Sequence, residues 1–199
     1  MGKRKLYVVF EGKKPGIYQT WDECKEQVEG IKGSKFKSYS TEEQANEEYE
    51  KYIGHNELSP EDIARSISSD ASCSGVPGIL EYRVVETINE NVIFSSPTYP
   101  LGTNNIGEFL ALVKAMQYLS ERDECSRIIF VDSVTAISWV KKKKVKTNLE
   151  KTDKTEELYS EILNAEEWLG TINIEDFKLV KWETHIYGEI KADFGRKRK

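Results

Sequence analysis

Hydrophobic and polar positions alternate in short runs at the start of the chain. Runs rich in β-branched and aromatic side chains predict three strands, at 6–10, 17–19 and 36–39. Thr20 stands where a helix N-cap is expected, so a helix is predicted over 21–29. Ser40 or Thr41, followed by glutamates, begins a second helix. This order of elements predicts a small β-β-α-β-α domain at residues 1–51.

A polar stretch at 52–62 predicts a short linker, because Gly54, Asn56 and Pro60 interrupt any regular pattern. The pattern beyond it predicts a second domain at 63–199. Its strands are expected at 79–88, 92–98, 127–131 and 177–182. Its helices are expected at 106–119, from Ser133 onward and at 155–169. This mixture of strands and helices predicts an α/β domain.

Composition narrows the class of protein. No apolar run approaches the ~18 residues of a membrane span, so no membrane partner is expected. The start of the chain is basic, but a patterned segment follows it rather than the apolar core of a signal peptide. The three cysteines (Cys24, Cys73 and Cys125) form no CxxC or zinc spacing. These features predict a reduced, cytoplasmic protein without disulfides.

The net charge of −5 argues against nucleic acid only if charge is taken as an average. The first 37 residues carry more Lys and Arg than Asp and Glu. Phosphate binding depends on the local potential, so this arm remains a candidate. The aromatic residues Tyr7, Trp21 and Phe36, with Lys37, suit base stacking and phosphate contact. The alternative is that Trp21 and Phe36 form the core of a very small domain.

Asp70 lies in the small-residue stretch Ser69–Gly78, which is predicted to form a turn between an apolar lead-in and a long strand. A carboxylate beside a glycine-rich bend can hold a cation and let a polymer backbone approach closely. The alternative is an ordinary turn acid.

Three further carboxylates fall on separate predicted elements. Glu108 lies near a helix start, Asp132 ends a buried strand, and Asp193 lies near the C-terminus with Glu189 four residues before it, on one predicted helical face. The alternatives are a helix-dipole acid, an N-cap and an exposed acidic tail, respectively. Together with Asp70 they suggest an oxygen-ligand cage for magnesium or manganese.

Short segments at the N-terminus carry a resemblance to a known family: Tyr7–Tyr18, Thr20–Glu23, Cys24–Val28 and Phe36–Thr41. They resemble the N-terminal hybrid-binding (viroplasmin-like) domain of type 1 ribonucleases H. The resemblance implies that Trp21 stacks on a DNA strand and that Lys37 contacts a phosphate. It adds double-stranded RNA as a second ligand of this domain. Ser38 departs from the lysine often found in the family.

Segments of the second domain carry a matching resemblance: Asp70–Gly78, Gly102–Phe109, Val131–Ser133 and 182–197. They resemble the catalytic domains of type 1 ribonucleases H, most of all bacterial ones. This implies a ribonuclease H-like mixed sheet flanked by helices. It also implies a monomer that hydrolyses the RNA strand of RNA/DNA hybrids, leaving 5′-phosphate and 3′-hydroxyl ends. Two Mg²⁺ ions would serve as cofactors, with Mn²⁺ as a substitute.

The resemblance also assigns roles to residues. It implies Asp70, Glu108, Asp132 and Asp193 as metal ligands and catalytic residues, with Glu189 as an acid that assists metal exchange and product release. It implies two groups of substrate-binding residues: a strip that reads the minor groove, and a pocket for a DNA phosphate. The strip comprises Cys73, Gly75, Asn104 and Asn105, and the pocket comprises Thr103, Thr147 and Asn148.

Three positions qualify the resemblance: Ala71 stands where the family more often has glycine, Val134 stands where glutamine is common, and His185 receives no role. Two other functions are weighed against an enzyme. One is a non-catalytic adaptor that binds RNA/DNA hybrids, and the other is a structural protein with incidental acids.

Overall fold

The chain divides into two units, Met1–Ser59 and Pro60–Lys199, in the computed structural model. The structure describes residues 5–56, 58–122, 127–182 and 188–195. Cys125 and His185 lie outside these ranges. The limits 1–51, 52–62 and 63–199 stay predictions, with the helix before the predicted linker running on to Asn56.

The first unit has the predicted order β-β-α-β-α. Its elements are β1 (Leu6–Glu11), β2 (Gly16–Tyr18), α1 (Trp21–Val28), β3 (Lys35–Tyr39) and α2 (Glu42–Asn56). The three strands form an antiparallel sheet in the order β2-β1-β3. Thr20 caps α1 as predicted, because its Oγ1 accepts from the Glu23 backbone N–H at 3.3 Å while Glu23 Oε2 accepts from the Thr20 N–H at 3.0 Å.

The second unit contains a sheet of six strands. Its elements are α3 (Pro60–Ala64), β4 (Ile67–Cys73), β5 (Gly78–Glu86), β6 (Val92–Ser95), β7 (Tyr99–Gly102), α4 (Asn104–Ser120), β8 (Ile128–Val131), α5 (Val134–Lys142), α6 (Glu156–Thr171) and β9 (Lys178–Lys181). The strand order is β6-β5-β4-β8-β9, with β7 paired to β5.

This sheet is mixed, as predicted. β4, β8 and β9 run parallel, whereas β5 is antiparallel to β4, β6 and β7. Helix α4 packs on β4, β5 and β8, and α5 and α6 pack against α4. The sheet and helices enclose a core that includes Leu80, Phe109 and Ile129. Among the described residues, no helix is both long and apolar enough to cross a membrane.

Two local predictions were wrong. Asp70 does not lie in a turn, because β4 continues to Cys73 and pairs with β5 along its whole length. Pairing with β5 gives the backbone of Asp70–Cys73 hydrogen-bond partners far away in the chain, which turn statistics could not reveal. Residues 188–195 form turns rather than the predicted helical face, since Gly188 and Gly195 adopt φ values of 77° and 66°.

A glycine allows α4 to approach β4 closely. An ideal Cβ on Gly107 would lie 2.7 Å from the Ala71 Cβ and 2.6 Å from the Leu80 Cδ1. These separations are shorter than carbon–carbon contact allows. Asp70 precedes Ala71 on β4, and Glu108 follows Gly107 on α4. The absence of a side chain at Gly107 therefore allows the strand that carries Asp70 and the helix that carries Glu108 to lie close together.

We expect Gly107→Ala to destabilise the protein by about 1–3 kcal/mol, because the added methyl group overpacks the contact. Gly170→Ala in α6 is the matched control. An added Cβ there meets no atom within 4 Å, so it should leave the stability unchanged or raise it by up to about 1 kcal/mol. Urea unfolding measures both. Adding Ala71→Gly to Gly107→Ala should recover part of the loss; no recovery would contradict this account of the contact.

Candidate active site

Three carboxyl groups meet at the end of the parallel strands. One oxygen from each of Asp70, Glu108 and Asp132 lies within 4.8 Å of the others. Register explains the first pairing: Ser69 lies beside Val131 on the neighbouring parallel strand, so the next residues, Asp70 and Asp132, come side by side. In the sequence these acids are candidates on separate predicted elements, and the fold brings them together.

The structure contradicts the alternatives of a turn acid, a helix-dipole acid and an N-cap for these three residues. Asp70 and Glu108 are only 6% and 2% exposed, so neither is a solvated turn acid or helix-start acid. The N-cap of α5 is Ser133, whose Oγ accepts from the Ala136 N–H at 3.2 Å. Asp132 is therefore not used as a cap.

Burial raises the pKa of all three carboxyls, and repulsion within the trio adds to this rise for Asp70 and Glu108. Burial, followed by the charge of Asp132, raises the pKa of Asp70 to about 7. Burial first, and then the charges of Asp132 and Asp70, raise the pKa of Glu108 well above its ordinary value. Burial also raises the pKa of Asp132, against an opposing effect of the Lys181 charge.

The donor set fits a hard divalent cation. All three groups offer oxygen, which suits Mg²⁺ and Mn²⁺. Glu108 Oε1 accepts from Asn104 Nδ2 at 3.1 Å. Glu108 Oε2 is buried without a hydrogen-bond partner among the described residues. A cation would satisfy this oxygen and relieve the repulsion among the three groups.

Asp193 lies close enough to the trio for its charge to raise the pKa of both Asp70 and Asp132. It is half-buried, and its Oδ2 accepts from the Gly195 N–H at 2.7 Å. Glu189, by contrast, is exposed. The structure therefore brings the fourth predicted ligand near the trio, while the predicted role of Glu189 stays a prediction.

Most of the predicted minor-groove strip shares one region. Cys73 Sγ donates to the Gly75 carbonyl at 2.9 Å and is 3.4 Å from the Gly102 carbonyl. Gly102 precedes Thr103, whose side chain makes no capping bond to α4. Asn104 connects this strip directly to the carboxylates through Glu108, whereas Asn105 is exposed.

The other members of the predicted phosphate pocket lie on the loop between α5 and α6. Thr147 Oγ1 accepts from the Leu149 N–H at 3.1 Å, and Asn148 is exposed. In the described part of the chain, no hydrogen bond joins either residue to Thr103. Glu166 on α6 anchors this loop by accepting from the Val145 N–H at 2.8 Å.

Two basic residues near the site were not anticipated. Lys181, beside Val131 in the β8–β9 register, opposes the rise in the Asp132 pKa. Arg83 on β5 lies opposite Asp70 in the β4–β5 register. Only strand pairing distant in sequence places them here, so no local pattern could have indicated them.

The first unit presents an exposed aromatic surface. Trp21 and Phe36 are 42% and 43% exposed, with ring centroids 5.3 Å apart, and Tyr7 lies 5.6 Å from Trp21. The core is formed instead by residues that include Val9 and Cys24. Trp21 and Phe36 are therefore not the core of this unit. Lys37, the residue after Phe36 on β3, is also exposed.

Comparison with known proteins places the clearest likeness in the first unit. Residues 5–47 match the family model described as Ribonuclease H1 N-terminal domain. Curated relatives include Ribonuclease H of Crithidia fasciculata, 51% identical over 39 residues, and Ribonuclease H of Saccharomyces cerevisiae, 49% identical over 40 residues. Each match covers 20% of this chain, but only 8% and 12% of those relatives. These relatives are eukaryotic, so the suggested likeness to bacterial members stays a prediction.

Solved structures give a broader but weaker likeness. LC11-RNase H1, isolated from compost, is 21% identical, with a TM-score of 0.36; the match covers 59% of this chain and 82% of that one. RNase H1 from Halobacterium salinarum is 18% identical, with a TM-score of 0.33; the match covers 60% of this chain and 87% of that one. At such scores these likenesses add nothing to the strand order and register described above.

The raised pKa of Asp70 predicts how the stability of the metal-free protein depends on pH. The folded form holds its proton up to about pH 7, whereas an unfolded aspartate loses it near pH 4. The folded state then binds more protons between these values, so stability falls as pH rises from about 4 through 7. Unfolding in chelator should show a lower Tm at pH 8 than at pH 5.5.

Asp70→Asn should raise the Tm of the metal-free protein at pH 8 and flatten its dependence on pH. It should also abolish the stabilisation produced by Mg²⁺. Asp176→Asn is the control, because that exposed acid is 3.8 Å from Arg127 and outside the trio. A Tm at pH 8 equal to or below that of the unaltered protein would contradict the repulsion inferred here.

Proposed function

We propose that the chain is an endoribonuclease that hydrolyses the RNA strand of RNA/DNA hybrids. The observation that carries this proposal is the group of three converging carboxyls, two of them buried, one with an unsatisfied oxygen. An uncompensated cluster of this kind is destabilising, so it favours a function that requires bound cations. The first unit matches a ribonuclease H1 N-terminal domain, and the curated relatives that it resembles are named Ribonuclease H, which supports the same activity for this chain.

Asp70, Glu108, Asp132 and Asp193 would hold two Mg²⁺ ions, with Mn²⁺ as a substitute. When bound, such ions activate water and stabilise the charge that develops on the leaving oxygen. Asn104 holds Glu108 through its Oε1 and so fixes one carboxylate's orientation. Lys181 keeps Asp132 closer to its charged form. Cleavage of the bond to the 3′ oxygen gives 5′-phosphate and 3′-hydroxyl products, and Glu189 assists product release.

The choice of RNA strand would fall to the strip beside the carboxylates. Asn104 and Asn105 offer amide donors and acceptors to ribose 2′-hydroxyls, which distinguish RNA from DNA. Cys73 and Gly75 present little bulk and allow the RNA backbone to approach. Thr103, Thr147 and Asn148 would hold a phosphate of the DNA strand.

The exposed rings of the first unit support hybrid binding by that unit. Trp21 and Phe36, with Tyr7 against Trp21, form a stacking surface, and Lys37 adds a phosphate contact. Double-stranded RNA would be a second ligand of the first unit. A monomeric state and a cytoplasmic location belong to the same proposal. The alternative of a hybrid-binding adaptor has the support of this surface, but it gives the buried carboxyls no use.

Asp132→Asn should abolish cleavage of a labelled RNA/DNA hybrid in Mg²⁺, because one ligand charge is lost. Asp176→Asn, outside the trio, should cut like the unaltered protein. Gel analysis of fragments and their ends measures both. An unaltered chain that binds hybrid but cuts no faster than Asp132→Asn would favour the adaptor.

Trp21→Ala should weaken hybrid binding by about 1–3 kcal/mol, the loss typical of one stacked base. Fluorescence anisotropy on the full chain measures this with Asp132→Asn present, so that the ligand is not cut. Leu163→Ala is the control, because Leu163 is 50% exposed on α6 but has no ring. Equal affinity of both variants would remove the stacking role.

A further inference from the structure

Arg83 directs its guanidinium toward the C-terminal segment rather than toward the carboxyl trio. Its Nε donates to the Ala192 carbonyl at 2.7 Å, and its Nη2 donates to the Asp193 carbonyl. The guanidinium carbon also lies 4.5 Å from the centroid of the Phe194 ring. Three consecutive residues are therefore held by one side chain across more than a hundred positions of sequence.

The two accepting carbonyls belong to the peptide groups on either side of the Asp193 Cα. Fixing both peptide planes restricts the backbone dihedrals of Asp193, and these set the direction of its side chain. A guanidinium suits this task because its donors are coplanar and at fixed spacing. The stacked Phe194 ring limits rotation of the fork.

Other contacts also hold the segment, and one of them bears on the carboxylate itself: the Gly195 N–H donates to Asp193 Oδ2 at 2.7 Å. The Asp193 N–H donates to the Ile190 carbonyl at 2.8 Å, and Trp182 Nε1 donates to the Gly188 carbonyl at 2.9 Å. The side chain of Lys191 pairs with Glu90 at 3.0 Å, where both groups are substantially exposed. Such an exposed pair contributes little. Of the described contacts, those of Arg83 engage the peptide groups on both sides of Asp193.

We propose that Arg83 is a positioning residue that orients Asp193 toward the other three carboxylates. The proposal rests on the proposed function for its catalytic consequence, but not for its geometry. Arg83 lies opposite Asp70 on β5. The strand that pairs with the first carboxylate thus also places the fourth.

The two coplanar donors of the Arg83 guanidinium, rather than its charge, are what orient Asp193. Arg83→Lys keeps the charge but has a single nitrogen on a flexible stem, which cannot hold two carbonyls in one plane. Arg127→Lys is the matched control, since Arg127, like Arg83, contacts an aromatic ring, 5.3 Å away on Phe177, and its other described contact is an ion pair with Asp176. It lies at the opposite end of β8 from Asp132.

The first test measures the segment without any reaction. Amide hydrogen exchange in metal-free full-length protein should be at least about tenfold faster in Arg83→Lys at Asp193 and Gly195, whose N–H groups are hydrogen-bonded in this segment. Arg127→Lys should leave both amides unchanged. Unchanged exchange in Arg83→Lys would overturn the proposal, whether or not the protein cuts hybrids.

The second test is a double-mutant cycle on hybrid cleavage. Arg83→Lys should lower kcat about 10-fold or more, the loss typical when a residue supporting a metal ligand is changed, with KM nearly unchanged. In an Asp193→Asn background the same change should have no further effect, because the group that Arg83 orients is already altered. A full loss persisting in that background would overturn the proposal. An inactive unaltered chain would instead refute the proposed function, leaving hydrogen exchange to decide the role of Arg83.

Discussion

The constraint on which the second unit depends is the electrostatic repulsion among three carboxyl groups. Asp70, Glu108 and Asp132 bring three like-charged oxygens within 4.8 Å in a largely buried place, where neither water nor hydrogen-bond donors can fully compensate them. A fold that stabilised itself alone would separate or neutralise these groups. Their retention together makes sense as a preformed receptor for positive charge. Burial raises the pKa of all three groups, and repulsion within the trio raises it further for Asp70 and Glu108.

Rigid surroundings are what allow such a repulsion to persist. Asp70 lies on a strand paired on both sides, and α4 is brought against that strand at Gly107, where no side chain intervenes. Ser133 caps α5, leaving the preceding Asp132 available to the trio. Hydrophobic burial elsewhere in the unit offsets the free energy lost at the site, which is a common division between core and active site.

Asp193 depends on a different kind of support. It lies in a segment of turns, where a carboxylate has no regular element to define its direction. The hydrogen bonds of Arg83 to the neighbouring carbonyls replace that regularity. In the first unit, the core that includes Val9 and Cys24 leaves Trp21 and Phe36 at the surface with exposed rings.

Much of the local structure followed from the sequence alone: the N-cap at Thr20, the helix predicted at 106–119 and the buried strand before Asp132 depend on neighbouring residues. The sequence also singled out the acids, first by their places on separate predicted elements and then through a resemblance carried by short motifs. Tertiary structure alone decided that Asp70 lies within a strand and that Lys181 pairs with Val131, the residue before Asp132. It also decided that Arg83 reaches Ala192 and Asp193. The physical reason is that capping and periodicity act over a few residues, whereas strand register and burial are set by partners far away in the chain.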